Sequence, residues 1–459
     1  MKTNRRYAVF ILFIFLGLIG YVGILQYLHK GQQTNIILIT LDALRPDHLG
    51  CYGYRKNTSP NIDRISREGI IFLNVIAQSS FTPTSMASLL TSAYPFAHGV
   101  YAFGDKISDN LSTLSGLLKQ NDFQTGFFSS HVGIATIGGF EDHFDIFYSI
   151  WTYKEEINNK NTKVTELNPR IVKWIEKNKN KKFFLWIHYI EPHSPMDPPL
   201  KYLKMFLNEG ISKLERKAPI SDKAFGLGGI PRRLAASHDY ISDLNYYINL
   251  YDASIRYIDD QIGELMGNIK KMGLDKKTLI VISSDHGESL GEHNQYFNHG
   301  FQLYDEVIKI PLIIKLRNSF QKGKKIVNQV QQIDIVPTIL ETLRIRKPSS
   351  MTGESLIPYI KGNSGYNNKF AYSFFDNKIS ARAEKWKLIY NKEGSNELYD
   401  IQQDPLELNN LAFTEKERVD SLKQKLDTFL KQGNYADKKN SGVLNEEDKR
   451  RLNLLGYVQ

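Results

Sequence analysis

Apolar positions along this chain form runs of different length and rhythm, and each kind predicts a different element. From Tyr7 to Leu28 the run is continuous: 22 residues carry no charge, and only Gln26 is strongly polar. As a helix it spans about 33 Å, enough for a hydrocarbon core of about 30 Å, and no amphipathic stripe marks it as a core helix. Lys2, Arg5 and Arg6 precede it and His29 and Lys30 follow, a bias that keeps the N-terminus in the cytoplasm. The run is longer than a signal-peptide core, and no small-residue cleavage site follows. The expectation is an uncleaved single-pass anchor in the cell membrane: 1–6 cytoplasmic, 7–28 transmembrane, 29–34 linker, the rest extracytoplasmic.

After residue 34 the runs shorten. Asn35–Leu41 is a strand-length apolar segment that stops at Asp42, and Thr278–Ser283 is a second, ending just before Asp285 and His286. Continuous Ile/Val/Leu segments of this length are what parallel strands buried on both faces look like. Helical stretches at Leu111–Lys119, Pro169–Asn178 and Tyr251–Met272 alternate with such strands, which predicts an α/β sheet with helices on both sides. Such sheets bind ligands at the carboxyl ends of their strands, where both acidic signals lie.

The rhythm breaks between about 200 and 240, around Phe225–Pro231, and predicts a long surface excursion over the sheet. A strand-like Lys385–Tyr390 and a helix near Glu415–Gln432 indicate a smaller C-terminal subdomain over 346–432. The tail, 433–459, begins polar and Lys-rich and ends in the apolar Leu454–Val458.

Charge and cysteine usage narrow the possible chemistry. Lys+Arg number 59 against 49 Asp+Glu, a net charge of +10, which suits an anionic substrate or membrane surface. No nucleic-acid recognition motif accompanies the charge, so nucleic acid is not the expected partner. Cys51 is the one cysteine, which excludes an internal disulfide, thiolate zinc sites and iron–sulfur ligation.

Five of the eleven histidines fall within Ile187–Pro195, Asp285–His293 and Asn298–Gly300. Ser284–Glu288 places an oxygen and a nitrogen donor side by side at a strand end, able to turn toward one divalent cation or to form a hydrogen-bonded turn. Asp42 alone reads more readily as a cap or turn residue than as a ligand. Gln78–Thr91 is rich in hydroxyls and leads into a helix, whose N-terminus favours a nucleophile aimed at an anionic ester, although the stretch by itself reads more readily as a plain N-cap. Thr82 could serve only if a metal activates it, because a free hydroxyl ionises too weakly near neutral pH.

These residues resemble the sulfatase branch of the alkaline phosphatase superfamily. Asn35–Gly53 is similar to the family's opening strand and metal carboxylate, and Thr58–Asp63 follows it. Phe184–Pro195 resembles the strand ending in a catalytic Pro-His, and Tyr251–His293 the long helix, strand and Asp-His-Gly-Glu motif. Ile333–Leu340, Gly353–Leu356 and Glu397–Pro405 continue the likeness. The resemblance implies an alkaline-phosphatase-like, mostly parallel sheet flanked by helices over 35–345, with a smaller C-terminal α+β subdomain, preceded by the transmembrane helix.

One departure alters the implied mechanism. Family sulfatases oxidise a cysteine or serine in Cys/Ser-x-Pro-x-Arg to formylglycine, but Thr82–Met86 stands there. Threonine cannot yield that aldehyde, so formylglycine is not expected, and the supporting arginine is missing. Thr82 resembles instead the superfamily's phosphoethanolamine transferases and lipoteichoic acid synthases, where a metal-bound threonine attacks phosphorus. The resemblance then implies Asp42, Thr82, Asp285 and His286 as ligands of one divalent cation. Ala43 replaces a second carboxylate, so mixed O/N ligation suits manganese or zinc better than calcium. His193 and His299 are expected at the ester oxygens or leaving group, with His299 near the usual lysine. His188 is expected to be structural. Arg45 either meets substrate oxygens or pairs with Asp47. The implied activity is a metal-dependent hydrolase of sulfate or phosphate esters. The alternatives are a phosphoryl-group transferase acting on an envelope lipid or glycan, and an inactive glycan-binding protein.

Overall fold

The computed structural model describes residues 34–433, apart from 132, 135–136, 138, 150–162, 208–215, 224–225, 318–320 and 364–369, together with Lys449. Strands β1 (Asn35–Leu41), β2 (Ile70–Ile76), β3 (Gln124–Ser129), β4 (Ile146–Ser149), β5 (Phe183–Tyr189), β6 (Thr278–Ser284), β7 (Lys309–Lys315) and β8 (Lys324–Gln331) form one sheet. Their order is β8-β2-β7-β6-β1-β5-β3-β4. The principal helices around it are α1 (Pro60–Glu68), α2 (Thr82–Thr91), α3 (Lys163–Asn178), α4 (Leu244–Lys271) and α5 (Ile335–Thr342).

Successive side chains of β1 enter different cores, which is why its sequence is apolar throughout. Ile37, Ile39 and Leu41 pack with Ile62 of α1, Ile171 of α3 and Ile255 and Ile258 of α4. Ile36 and Leu38 join Leu89 and Leu90 of α2 and Ile335 and Ile339 of α5. The buried face of α4 recurs at three- and four-residue spacing through Leu244, Tyr247, Leu250, Ser254, Ile258, Ile262, Leu265 and Ile269. Asp259, also buried on α4, accepts from the backbone N–H of Asn61 and Ile62 and so satisfies donors in the first turn of α1.

A second sheet follows, antiparallel and in sequence order: β9 (Ala371–Phe375), β10 (Lys378–Arg382), β11 (Trp386–Asn391) and β12 (Glu397–Asp400). Leu388 and Leu398 of this sheet pack against Val419 and Leu422 of α6 (Lys416–Lys431). Between 200 and 240 the expected excursion contains the helix Leu200–Leu207 and a two-stranded parallel ladder, Ile220–Ser221 with Ile230–Pro231.

The structure corrects the expected fold class on one point, the preceding transmembrane helix. The main sheet is mostly parallel as expected, β7 alone of its eight strands running antiparallel to its neighbours β2 and β6; an apolar run carries no sign of strand direction. The expected anchor at 7–28 lies outside the described residues, as does Leu454–Val458. Among the described residues no helix is long and apolar enough to cross a membrane. The longest, α4, has 28 residues but carries Asp252, Arg256, Asp259, Asp260 and Glu264. The membrane-spanning helix, and the single-pass location with it, therefore find no support in the structure.

Candidate active site

Four neighbouring strands bring their carboxyl ends together, and each delivers a titratable side chain. In register, Leu41 of β1 pairs with Tyr189 of β5 and Ser284 of β6, and Ser129 of β3 pairs with His188 of β5. Asp42 thus follows β1, Asp285 and His286 follow β6, and His131 follows β3. Ser284 clamps two of these ends: its hydroxyl stands 2.6 Å from both Leu41 O and His286 O and accepts from Leu44 N. Ala43 turns the chain with a φ of 58°, a left-handed conformation costly for a residue with a Cβ. Tyr251 holds that turn, donating to Ala43 O at 2.7 Å and accepting from Arg45 N.

Asp42, Asp285 and His286 each offer a ligating atom, and these atoms all lie within 4.8 Å of one another. His286 Nε2 is 3.3 Å from Asp285 Oδ2 and 3.6 Å from Asp42 Oδ1. All three side chains are buried, and both oxygens of Asp42 and Oδ2 of Asp285 have no hydrogen-bond partner among the described residues. Orphaned buried carboxylate oxygens are costly unless a cation compensates them, so these residues fit a divalent cation with mixed O/N ligation. Thr82 joins the cluster at the first position of α2, with Oγ1 3.0 Å from His286 Nε2. Pro83 occupies a first-turn position where a helix has no use for the missing N–H.

His299 and His193 complete the group. The His299 ring centre is 4.0 Å from that of His286 and 4.9 Å from that of His193. His299 Nδ1 lies 3.3 Å from Glu288 Oε1. Phe81, just before Thr82, meets Phe103 and Phe375 edge-on, so β9 of the second sheet reaches the flank of this threonine.

Burial, reinforced by Asp285, pushes Asp42 well above the usual carboxylate range. Burial also acts on Asp285, but the facing His286, His188 and His299 outweigh it and leave Asp285 low. Glu288 is pushed up to about 8 by burial. Burial lowers His131 to about 3 and His188 and His299 to about 4, so these rings are neutral near pH 7. A cation in the cluster would favour the ionised form of both carboxylates.

The structure therefore gathers Asp42, Thr82, Asp285, His286, His193 and His299, but not Arg45. Arg45 donates to both oxygens of Asp47, to Glu292 and to the Glu288 carbonyl. Its guanidinium holds loops behind the cluster. His131 was not singled out in the sequence, and His188 was expected to be structural; both face Asp42 Oδ2, at 3.5 and 3.4 Å. The available signal for His131 was its place two residues beyond a short strand.

A family model described as Sulfatase matches residues 34–345. The chain belongs to the sulfatase family. A second model, N-sulphoglucosamine sulphohydrolase, C-terminal, matches 291–434 of this sulfatase. It is similar to the N-acetylglucosamine-6-O-sulfatase of Bacteroides thetaiotaomicron, 25% identical over 83% of each chain. It is also similar to the arylsulfatase of Clostridium perfringens, 27% identical over 86% of this chain and 93% of that one. A structure solved in complex with its substrate D-glucosamine-2-N,6-O-disulfate shares the fold with a TM-score of 0.72 at 22% identity, over 87% of this chain and 98% of that one. The phosphonate monoester hydrolase of Agrobacterium radiobacter does so at 0.71 and 18%, over 87% and 96%. These relatives support a sulfuric ester hydrolase and give the phosphotransferase alternative no support.

Proposed function

We propose that this sulfatase-family hydrolase is metal-dependent and cleaves sulfate esters with Thr82 as its nucleophile. The observation that carries the reading is Thr82 Oγ1 set 3.0 Å from His286 Nε2, beside buried Asp42 and Asp285. Asp42, Asp285, His286 and Thr82 would hold the cation, and manganese or zinc suits this donor set best. Such a cation lowers the pKa of a coordinated hydroxyl and draws charge from ester oxygens.

Thr82 attacks sulfur, the ester S–O bond breaks, and the departing alkoxide takes a proton from His193 or His299. Water then attacks sulfur of the Thr82 sulfate ester, releasing sulfate and restoring the hydroxyl. Neutral imidazoles suit this exchange, because they can accept the Thr82 proton before returning it to the leaving group. The route differs from formylglycine chemistry because threonine cannot be oxidised to that aldehyde. A sulfated glycan is the proposed substrate class, from the relatives acting on sulfated glucosamine and the net charge of +10.

The test is turnover of p-nitrophenyl sulfate and 6-O-sulfated N-acetylglucosamine by the purified chain, with manganese, zinc or calcium added. Metal-dependent sulfate release, lost in Thr82→Ala, supports the reading. Absence of turnover under every metal, or full activity in Thr82→Ala, overturns it. Mass spectrometry of a quenched reaction should find an added sulfate on Thr82.

A further inference from the structure

Two fully buried histidines outside the proposed chemistry face one oxygen of Asp42: His188 Nε2 at 3.4 Å and His131 Nε2 at 3.5 Å from Oδ2. Hydrogen bonds fix where their protons sit. Gly133 N–H donates to His131 Nδ1 at 3.0 Å, so Nδ1 carries a lone pair and the neutral ring holds its proton on Nε2. For His188 the determinant is a side-chain relay. Trp186 Nε1–H donates to Thr40 Oγ1 at 2.9 Å, and that oxygen lies 2.8 Å from His188 Nδ1. The alternative acceptor for the Thr40 proton, Ile187 O, is 3.5 Å away. The Thr40 hydroxyl therefore donates to Nδ1, and the His188 proton also sits on Nε2. His286 is the opposite case. Its Nδ1 lies 2.8 Å from the Gly287 carbonyl, which can only accept, so its Nε2 keeps the lone pair a cation needs.

We propose that His188 is a positioning residue, locked by Trp186 and Thr40 as an Nε2–H tautomer that faces Asp42 Oδ2 and leaves Oδ1 to the cation. His131 acts beside it in the same sense. A nitrogen that carries a proton cannot ligate a metal, so the two rings orient the carboxylate and do not form a second metal site. The inference rests on the reading that Asp42, Asp285 and His286 hold a cation, but not on any role for Thr82.

Two measurements on the full chain test it, and neither uses turnover. Nitrogen-15 spectra of histidine-labelled, metal-free protein should show the Nε2–H tautomer for His188, its signal assigned by loss in His188→Gln. In Thr40→Val that preference should disappear. Manganese titration calorimetry should find His188→Leu binding about 10–100-fold more weakly, the usual loss for an outer-shell partner. His188→Gln, whose amide N–H can replace Nε2–H, should stay within about threefold of the parent. An Nδ1–H tautomer in the parent protein overturns the proposal. So does loss of a second manganese equivalent in His188→Gln, or an equal loss of affinity in the Gln and Leu variants. Should His188→Leu fail to fold, the tautomer spectrum and His188→Gln still decide the matter.

Discussion

Thr82 Oγ1 and His286 Nε2 stand 3.0 Å apart at the meeting of two elements distant in sequence, the start of α2 and the end of β6. His286 Nδ1 is committed to the Gly287 carbonyl, so the nitrogen facing Thr82 carries a lone pair. It can accept the hydroxyl proton or share a cation with the threonine oxygen. Under the proposed mechanism the reaction needs this oxygen and not the methyl group. Thr82→Ser should keep activity within about tenfold of the parent, while Thr82→Ala should lose a thousandfold or more, on the order of other nucleophile deletions. Steady-state rates with p-nitrophenyl sulfate and saturating manganese separate the two. Equal losses in both variants would mean that Thr82 acts through packing.

Much of this site was legible because its candidate ligands sit at the ends of apolar runs. Asn35–Leu41 is a strand as expected, the expected Thr278–Ser283 runs one residue further to Ser284, and the acidic residues that follow them are brought together. Direction was illegible: the apolar run in β7 reads like its parallel neighbours, yet it pairs antiparallel with both. The longest helix begins at Leu244, well before the expected Tyr251, because Asn245, Tyr246 and Asn249 obscure its buried face while Asp243 caps it. The third helix begins at Lys163 and contains Pro169, the start expected from the sequence. His131 was missed because its sequence signal, a place two residues beyond a short strand, has no second metal-ligating residue beside it. Only the β3–β5 register brings it beside His188.

Arg45 offers a direct contrast between a structural and a substrate-binding role. Its guanidinium donates to Asp47, Glu292 and the Glu288 carbonyl, so its removal leaves the partly exposed Glu292 without its cation. Arg45→Met should destabilise the chain by about 1–3 kcal/mol, the range for hydrogen bonds to charged groups, because both carboxylates keep access to water. The KM of the remaining folded enzyme should change little. Urea unfolding and KM measured on the same preparation decide the point. A tenfold rise in KM at unchanged stability would place Arg45 on the substrate.

His98 supplies a pH dependence away from the cluster. It is buried, accepts from Val100 N at Nδ1 and donates to Ser88 Oγ from Nε2, and burial lowers it to about 3. An unfolded histidine binds its proton near 6.5. Between about 3 and 6.5 the unfolded chain therefore holds the extra proton. The stabilisation is present above pH 6.5 and is lost as pH falls toward 3, by about 1.4 kcal/mol per pH unit for this one group. His98→Asn removes that titration and should flatten the dependence by one proton. Denaturant unfolding of both proteins between pH 7.5 and 4.5 measures it, and parallel curves would contradict the assignment.

Lys387 links the second sheet to the loop that carries the candidate ligands Asp285 and His286. Its ammonium, fully buried on β11, lies 2.9 Å from Asp305 and 2.7 Å from Glu407, and Arg382 of β10 pairs with Asp305 at 2.8 Å. Just beyond Asp305, the carbonyls of Glu306 and Val307 accept from Glu288 N and Gly287 N, the residues immediately after His286. The ion cluster therefore braces the loop from behind. Lys387→Met leaves two buried carboxylates sharing one arginine, at a cost of about 3–5 kcal/mol. Glu407, already pushed up to about 7 by burial, should then take up a proton at neutral pH. If the bracing is real, manganese affinity should fall together with stability, although no atom of Lys387 is among the candidate ligands. Calorimetry on the folded variant separates this from simple destabilisation: unchanged affinity would show that the second sheet supports the fold without holding the site.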